Sequence, residues 1–235
     1  MKYNRILLKL SGESLGGEEG IGIDSETLKQ YASEICSVVS SGIQVAIVIG
    51  GGNIFRGLSG VSKGFDRVKG DQMGMLATVI NSLALSQSIN GLGTPCKVFT
   101  STQMFPYADY YIKESVVEFM RGGGVAIIAG GTGNPFFTTD SASALRAAEL
   151  EVDALLKGTR VDGVYDKDPE KFSDAIKFSS LSYDRALSDN LKIMDMTAFT
   201  LCKENNIPII VFDMNQNGNL SLVVEGADIG TIVGK

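Results

Sequence analysis

The chain is punctuated by short runs of apolar, mostly branched residues that do not alternate with polar ones: "RILLKL" (5–10), "QVAIVIG" (44–50), "CKVFT" (96–100), "GVAIIAG" (124–130), "VDALLKG" (152–158), "IPIIVF" (207–212) and "GTIVG" (230–234). A strand with one wet face alternates apolar and polar positions, whereas a strand covered on both faces does not need to. Between these runs lie helical patterns. In 25–41, Leu28, Tyr31, Ala32, Ile35, Val38 and Val39 recur at three-and-four spacing, with Asp24 or Ser25 available as cap and Gly42 just past the end. Further helices are predicted over 71–90, 114–121, 139–150, 183–189, 195–205 and 219–225. This alternation predicts an α/β fold: a mostly parallel central sheet with helices on both faces, a three-layer sandwich. No repeat, low-complexity tract or Pro/Ser linker interrupts it, so the 235 residues read as one domain with a softer division near residue 150.

Composition narrows the function. A chain that is 44% hydrophobic can build a substantial core. A net charge of −6 disfavours a nucleic-acid surface but leaves room for a local anion site. The cysteines, Cys36, Cys96 and Cys202, lack metal-type spacing and suit a reducing cytosol. "MKYNRILLKLSG" is too short an apolar run for a signal peptide, and no stretch reaches the ~18 apolar residues of a membrane helix; the expectation is a cytoplasmic protein without membrane or nucleic-acid partners. The chain contains no histidine. Mechanisms built on Ser-His-Asp or Cys-His are therefore excluded, and so are histidine metal sites. Any chemistry must run on Lys, Arg, acids, hydroxyls and backbone amides.

Three of the predicted strands run directly into glycine-rich turns: "LKLSGESLGG", "VIGGGNIFRG" and "IAGGTGNPFFTTD". Ligands of open α/β sheets sit at the carboxyl ends of strands. Glycines there let main-chain N–H groups approach phosphate oxygens, and helix N-termini add favourable partial charge. One such loop is equally a tight turn; three after three strands point to phosphate. No G-x-x-x-x-G-K-[ST] and no G-x-G-x-x-G occurs in these loops, which removes the P-loop and leaves little support for a Rossmann oxidoreductase. Lys9 lies inside the first apolar run. Burying it is costly without an anion; it reads either as an anion ligand or as a strand-end amine in water.

Taken together, "KLSGE" (9–13), "IGGGNIFRG" (49–57), "GDQMGMLATVIN" (70–81), "GTGNPFFTTDSAS" (131–143), "LKGTRVDGVYDKDP" (156–169) and "MDMTAF" (194–199) resemble the bacterial UMP kinases of the amino acid kinase superfamily. The resemblance runs in order over nearly the whole chain; 101–123 and 170–192 carry none of it. It implies transfer of the ATP γ-phosphoryl group to UMP in pyrimidine nucleotide synthesis. Such an acceptor suits a chain without histidine, because a phosphate oxygen is already ionised and needs no base.

By the same resemblance, Lys9 contacts the transferred phosphoryl group. Leu10, Ser11, Gly12 and Gly52 contact ATP, and so does Arg56, whose guanidinium suits a phosphate clamp or a surface ion pair. Thr159, Tyr165 and Asp168 hold adenosine, with Tyr165 against the ring. Gly51, Asp71 and the run Thr132, Gly133, Asn134, Pro135, Phe136, Phe137, Thr138, Thr139 bind UMP. Asp71 reads equally as a helix-start acid, and Phe136 and Phe137 as core. Asp140 is either the acid that orients Lys9 or a helix cap. Asp195 stands where other superfamily members often carry a second catalytic lysine. Residues 1–150 would be mainly the UMP and phosphate lobe, and 151–235 mainly the ATP lobe. Mg²⁺ is expected with ATP, with no protein ligand assigned. Members of this kind are typically homohexamers inhibited by UTP, with GTP activating some; Gly17, Glu18, Glu19, Gly20, Ile21 and Gly22 match a region tied to the GTP response, and also read as an exposed acidic loop. The competing readings are a kinase of the same superfamily acting on a carboxylate, and a non-catalytic nucleotide sensor.

Overall fold

A computed structural model describes residues 2–55, 64 and 66–234. Nine strands form one sheet in the order β4 (Asp109–Tyr110), β3 (Cys96–Thr100), β5 (Val125–Ala129), β2 (Gln44–Ile49), β1 (Arg5–Leu10), β6 (Ala154–Thr159), β10 (Ile209–Asp213), β11 (Thr231–Gly234), β9 (Ser180–Ser182). Every pairing in it is parallel except β10 with β11. A separate antiparallel hairpin joins β7 (Val164–Tyr165) to β8 (Lys177–Phe178). The sheet is continuous through both halves of the chain: β1 pairs with β2 on one side and β6 on the other.

The unbroken apolar runs have the expected cause. Along β1, Ile6, Leu8 and Leu10 enter one core and Leu7 the other, and all four are fully buried. The first core is completed by α1 (Ser25–Ser40), α2 (Arg67–Gly91) and α7 (Asn219–Glu225); the second by α3 (Lys113–Arg121), α4 (Thr139–Glu149), α5 (Tyr183–Ser188) and α6 (Met196–Glu204). The result is a sheet between two helical layers.

Helix starts place the site residues. Asp24 caps α1 through Thr27 N–H at 2.8 Å. α2 begins four residues before its predicted start, because Asp66 caps it by accepting the Lys69 N–H at 3.1 Å. Asp71 therefore lies inside the helix and does not cap it. The cap of α4 is Thr138, whose hydroxyl accepts the Ser141 N–H at 3.1 Å, so Asp140 sits in the first turn and is not the cap. Among the described residues no helix is long and apolar enough to cross a membrane.

Candidate active site

Because the central strands are parallel, the loops after β1, β2, β5 and β6 emerge at the same end of the sheet. The long helix α2 anchors two of them. Asn81, fully buried, pairs its side-chain amide reciprocally with that of Asn53, at 2.7 and 3.0 Å, and also donates to the Gly50 carbonyl at 2.7 Å. Thr78 Oγ1 accepts the Gly130 N–H at 2.9 Å. Gly51 packs onto the same helix so closely that a Cβ would lie 2.7 Å from that of Ala77 and 2.8 Å from the Gly74 carbonyl oxygen; any side chain there would push the loop off α2.

A cavity of about 360 Å³ opens between these loops. Its wall includes Gly51, Gly52, Asp71, Thr132, Asn134, Phe137, Thr138 and Thr139. The sequence assigned all of these to UMP except Gly52, which it gave to ATP. Gly133, Pro135 and Phe136 belong to the same loop but not to the cavity wall. Phe136 is 64% exposed and has φ +70°, a left-handed backbone that a bulky residue adopts only when held there. The hold is visible: its N–H donates to Asp71 Oδ2 at 2.7 Å, and Arg67 lies over its ring at 5.2 Å. Arg67 also donates to both Asp71 oxygens, at 2.8 and 2.9 Å, and lines the cavity. No motif signals Arg67, which falls just outside "GDQMGMLATVIN", four residues before Asp71.

Two cavities lie on the other side of β1. One, of about 410 Å³, is lined by Lys9, Ser11, Lys157, Thr159, Arg160 and Asp168. The other, of about 510 Å³, includes Lys157, Thr159, Tyr165, Asp168 and the 189–193 turn. The expected ATP residues Lys9, Ser11, Thr159, Tyr165 and Asp168 are thus brought together. Leu10 and Gly12 line neither. The Leu10 side chain is in the core, and its carbonyl accepts the Gly50 N–H at 3.0 Å. Gly12 is buried against the β2 loop, where a Cβ would meet the Gly50 oxygen at 2.5 Å. Tyr165 donates its hydroxyl to Asp162 at 2.6 Å. Arg56 lies outside the described residues. The stretch 17–22 begins inside the 3-10 segment Glu13–Glu19 and runs past its end, leaves Glu18, Glu19 and Ile21 exposed, and is tied to the β2 loop by Asn53, whose side chain donates to the Gly22 carbonyl at 2.5 Å.

Between the cavities sits a compact charge cluster. Lys9 Nζ lies 2.7 Å from Asp140 Oδ1, and Lys157 Nζ lies 3.1 Å from Asp140 Oδ2. All three side chains are less than one-fifth exposed. Burial alone would raise the Asp140 pKa, but the two ammonium groups outweigh it and hold the carboxyl below its usual range. Burial is also the largest influence on Lys157; with the nearby Lys9 cation it lowers the amine's pKa, against the pull of Asp140. Lys157 was missed by the sequence analysis, although "ALLKG" repeats the signal that singled out Lys9 in "ILLKLSG": a lysine at the end of an otherwise apolar strand. Asp195 caps α6 and accepts hydrogen bonds from the hydroxyls of Thr138 and Ser141, joining α6 to the start of α4.

The chain also has close relatives. The amino acid kinase family model matches residues 4–213. The chain is 59% identical to the uridylate kinase of Bacteroides thetaiotaomicron over 232 residues, 99% of this chain and 98% of the relative. It is 60% identical to that of Parabacteroides distasonis, with the same coverage. The crystal structure of UMP kinase from Bacillus anthracis superposes with a TM-score of 0.96 at 38% identity, covering 100% of this chain and 97% of that one. The chain belongs to the amino acid kinase family and, within it, to the uridylate kinases.

Proposed function

We infer that this protein transfers the γ-phosphoryl group of ATP to UMP, giving UDP and ADP. The observation that carries the reading is the placement of the Lys9–Asp140 pair: Lys9 lines a cavity on the β6 side, while Asp140 directly follows Thr139, which lines the cavity on the β2 side. Full-length identity to uridylate kinases supports UMP as acceptor.

In this reading a UMP phosphate oxygen attacks the γ-phosphorus as the bond to the β,γ-bridging oxygen breaks. With dianionic UMP no proton moves, so no base is required. Lys9 offsets charge on the transferred group. Main-chain N–H groups of Gly51 and Gly52 face the phosphates, and Thr139 offers its hydroxyl to the nucleoside, next to Thr138, whose own hydroxyl is held by Asp195 and the Ser141 N–H. Asp71 binds the UMP ribose and keeps the Phe136 loop folded. Ser11 takes the ATP phosphates, with Gly12 supporting the turn from below, while Thr159, Tyr165 and Asp168 hold the adenosine. Catalysis is then alignment plus charge stabilisation.

Mg²⁺ accompanies ATP in kinases of this kind and neutralises its phosphates. Among the described residues no group of three or more acidic or cysteine side chains could cage a metal, and Asp140 is engaged by two lysines. The residues present fit an ion held by phosphates and water.

The reading extends to assembly and regulation. The outward face of α2 exposes Met73, Leu76, Ile80 and Leu83 at helical spacing, which supports burial against a second copy in a homohexamer. UTP, a product-like pyrimidine triphosphate, would compete at the UMP cavity as an inhibitor, and GTP would act through the Gly17–Gly22 region. The protein would work in the cytoplasm. Initial rates with ATP and UMP, coupled to ADP formation, test the reaction; light scattering tests the hexamer. Absence of UMP-dependent ADP formation would refute the reading.

A further inference from the structure

Lys9 and Lys157 occupy the same register position on the neighbouring parallel strands β1 and β6. Side chains in register on adjacent strands project to the same face. Two largely buried ammonium groups side by side repel, and such an arrangement persists only around an anion. Asp140 supplies it by placing one oxygen against each amine. Lys157 donates to Oδ2 at 3.1 Å, and Lys9 pairs with Oδ1 at 2.7 Å. Lys157 also donates to the main-chain carbonyl of Ile193. That residue belongs to the turn lining the 510 Å³ cavity.

A lysine amine has three donors. Two of those on Lys157 are engaged by protein, on two different elements, while among the described residues Lys9 pairs with Asp140 Oδ1. A carboxylate paired with Lys9 alone would cancel the charge that a transferring phosphoryl group needs. With Lys157 as second partner, the three touching groups carry two positive charges and one negative, and one positive charge is left over. Asp195 also acts on Lys157, but through space, while it is bound to Thr138 and Ser141.

We propose that Lys157 is a positioning residue for phosphoryl transfer: it neutralises and aligns Asp140 so that the Lys9 cation remains available to the transferred group. The proposal rests on the kinase reading above. It assigns Lys157 no contact with substrate.

The test is steady-state kinetics with ATP and UMP on four proteins: the natural enzyme, Lys157→Met, Asp140→Asn and the double variant, with folding checked by thermal melting. Lys157→Met should lose roughly 10²-fold in kcat, the scale for removing one electrostatic contributor, with KM for UMP and ATP changed less than about threefold. Once Asp140 is neutral, Lys157 has nothing left to neutralise, so the double variant should match Asp140→Asn within about threefold in kcat. A packing role predicts the opposite, with losses that multiply. A double variant more than about tenfold slower than Asp140→Asn overturns the proposal, as does Lys157→Met with near-natural kcat. Should Lys157→Met fail to fold, the comparison of the double variant with Asp140→Asn decides alone, because the double removes one charge of each sign. A natural enzyme with no UMP turnover would instead refute the kinase reading itself.

Discussion

The Asp71 carboxylate accepts the main-chain N–H of Phe136 across 65 residues of sequence, at 2.7 Å. One acidic side chain on α2 thereby fixes the backbone of the loop that faces it, at a residue whose φ of +70° would otherwise be unfavourable. Asp71 and this loop share the cavity assigned to UMP.

Replacing Asp71 with Ala should therefore act on the acceptor side. KM for UMP is expected to rise by about tenfold or more, from a lost charged hydrogen-bond partner worth ~1.5–3 kcal/mol, while KM for ATP moves little. Equal changes in both constants would show that Asp71 supports the fold generally and not the UMP cavity.

Lys9→Ala should lower kcat by roughly 10²–10³, the cost of removing one charge partner of the transition state, with UMP binding affinity largely kept. Binding measured by calorimetry and turnover measured separately make the distinction. A Lys9→Ala protein with natural kcat would reduce the lysine to a structural cation.

The acid limb of kcat/KM should follow the acceptor. A phosphate monoester takes up its second proton near pH ~6, and the chain has no histidine to titrate there. Asp140 is excluded as an imitator, because its carboxyl is held below the ordinary 3.8 by Lys9 and Lys157 despite burial. It stays ionised through that range; the stability it contributes is present above 3.8 and is lost only as the pH falls through its lower folded value. A phosphonate analogue of UMP with a shifted second pKa should move the limb by the same amount. A limb that stays in place would assign it to the enzyme.

Asn81→Ala should destabilise the fold by about 1–3 kcal/mol, since it removes the buried donor that both Asn53 Oδ1 and the Gly50 carbonyl accept from. Denaturant midpoints measure this. A loss below ~0.5 kcal/mol would mean that the two loops do not depend on α2.

Much of this architecture could be read in the chain because the features that specify it are local. The β1 run "RILLKL" lies on strand from end to end, and the α7 prediction 219–225 matches the helix residue for residue. Elements set by distant pairing stayed hidden. β4, β7, β8 and β9 are two or three residues long and have no periodicity to detect. The start of α2 was misplaced because Asp66, not the glycine-flanked Asp71, caps it. In the site, motifs bring in most of the cavity walls. The Asn53–Asn81 amide pair and the Asp140 bridge between Lys9 and Lys157 were not visible, since each depends on side chains that meet only once the sheet has formed.

The central claim is that a base-free active site phosphorylates UMP from ATP and recognises the uracil edge. Its most direct test is a comparison of kcat/KM for UMP, CMP, dTMP and AMP with ATP as donor. A pocket that hydrogen-bonds one base leaves buried groups unpaired with another, a strong source of rejection. UMP is predicted to exceed CMP by at least about a hundredfold; comparable rates with CMP, or turnover without any nucleoside monophosphate, would contradict the account.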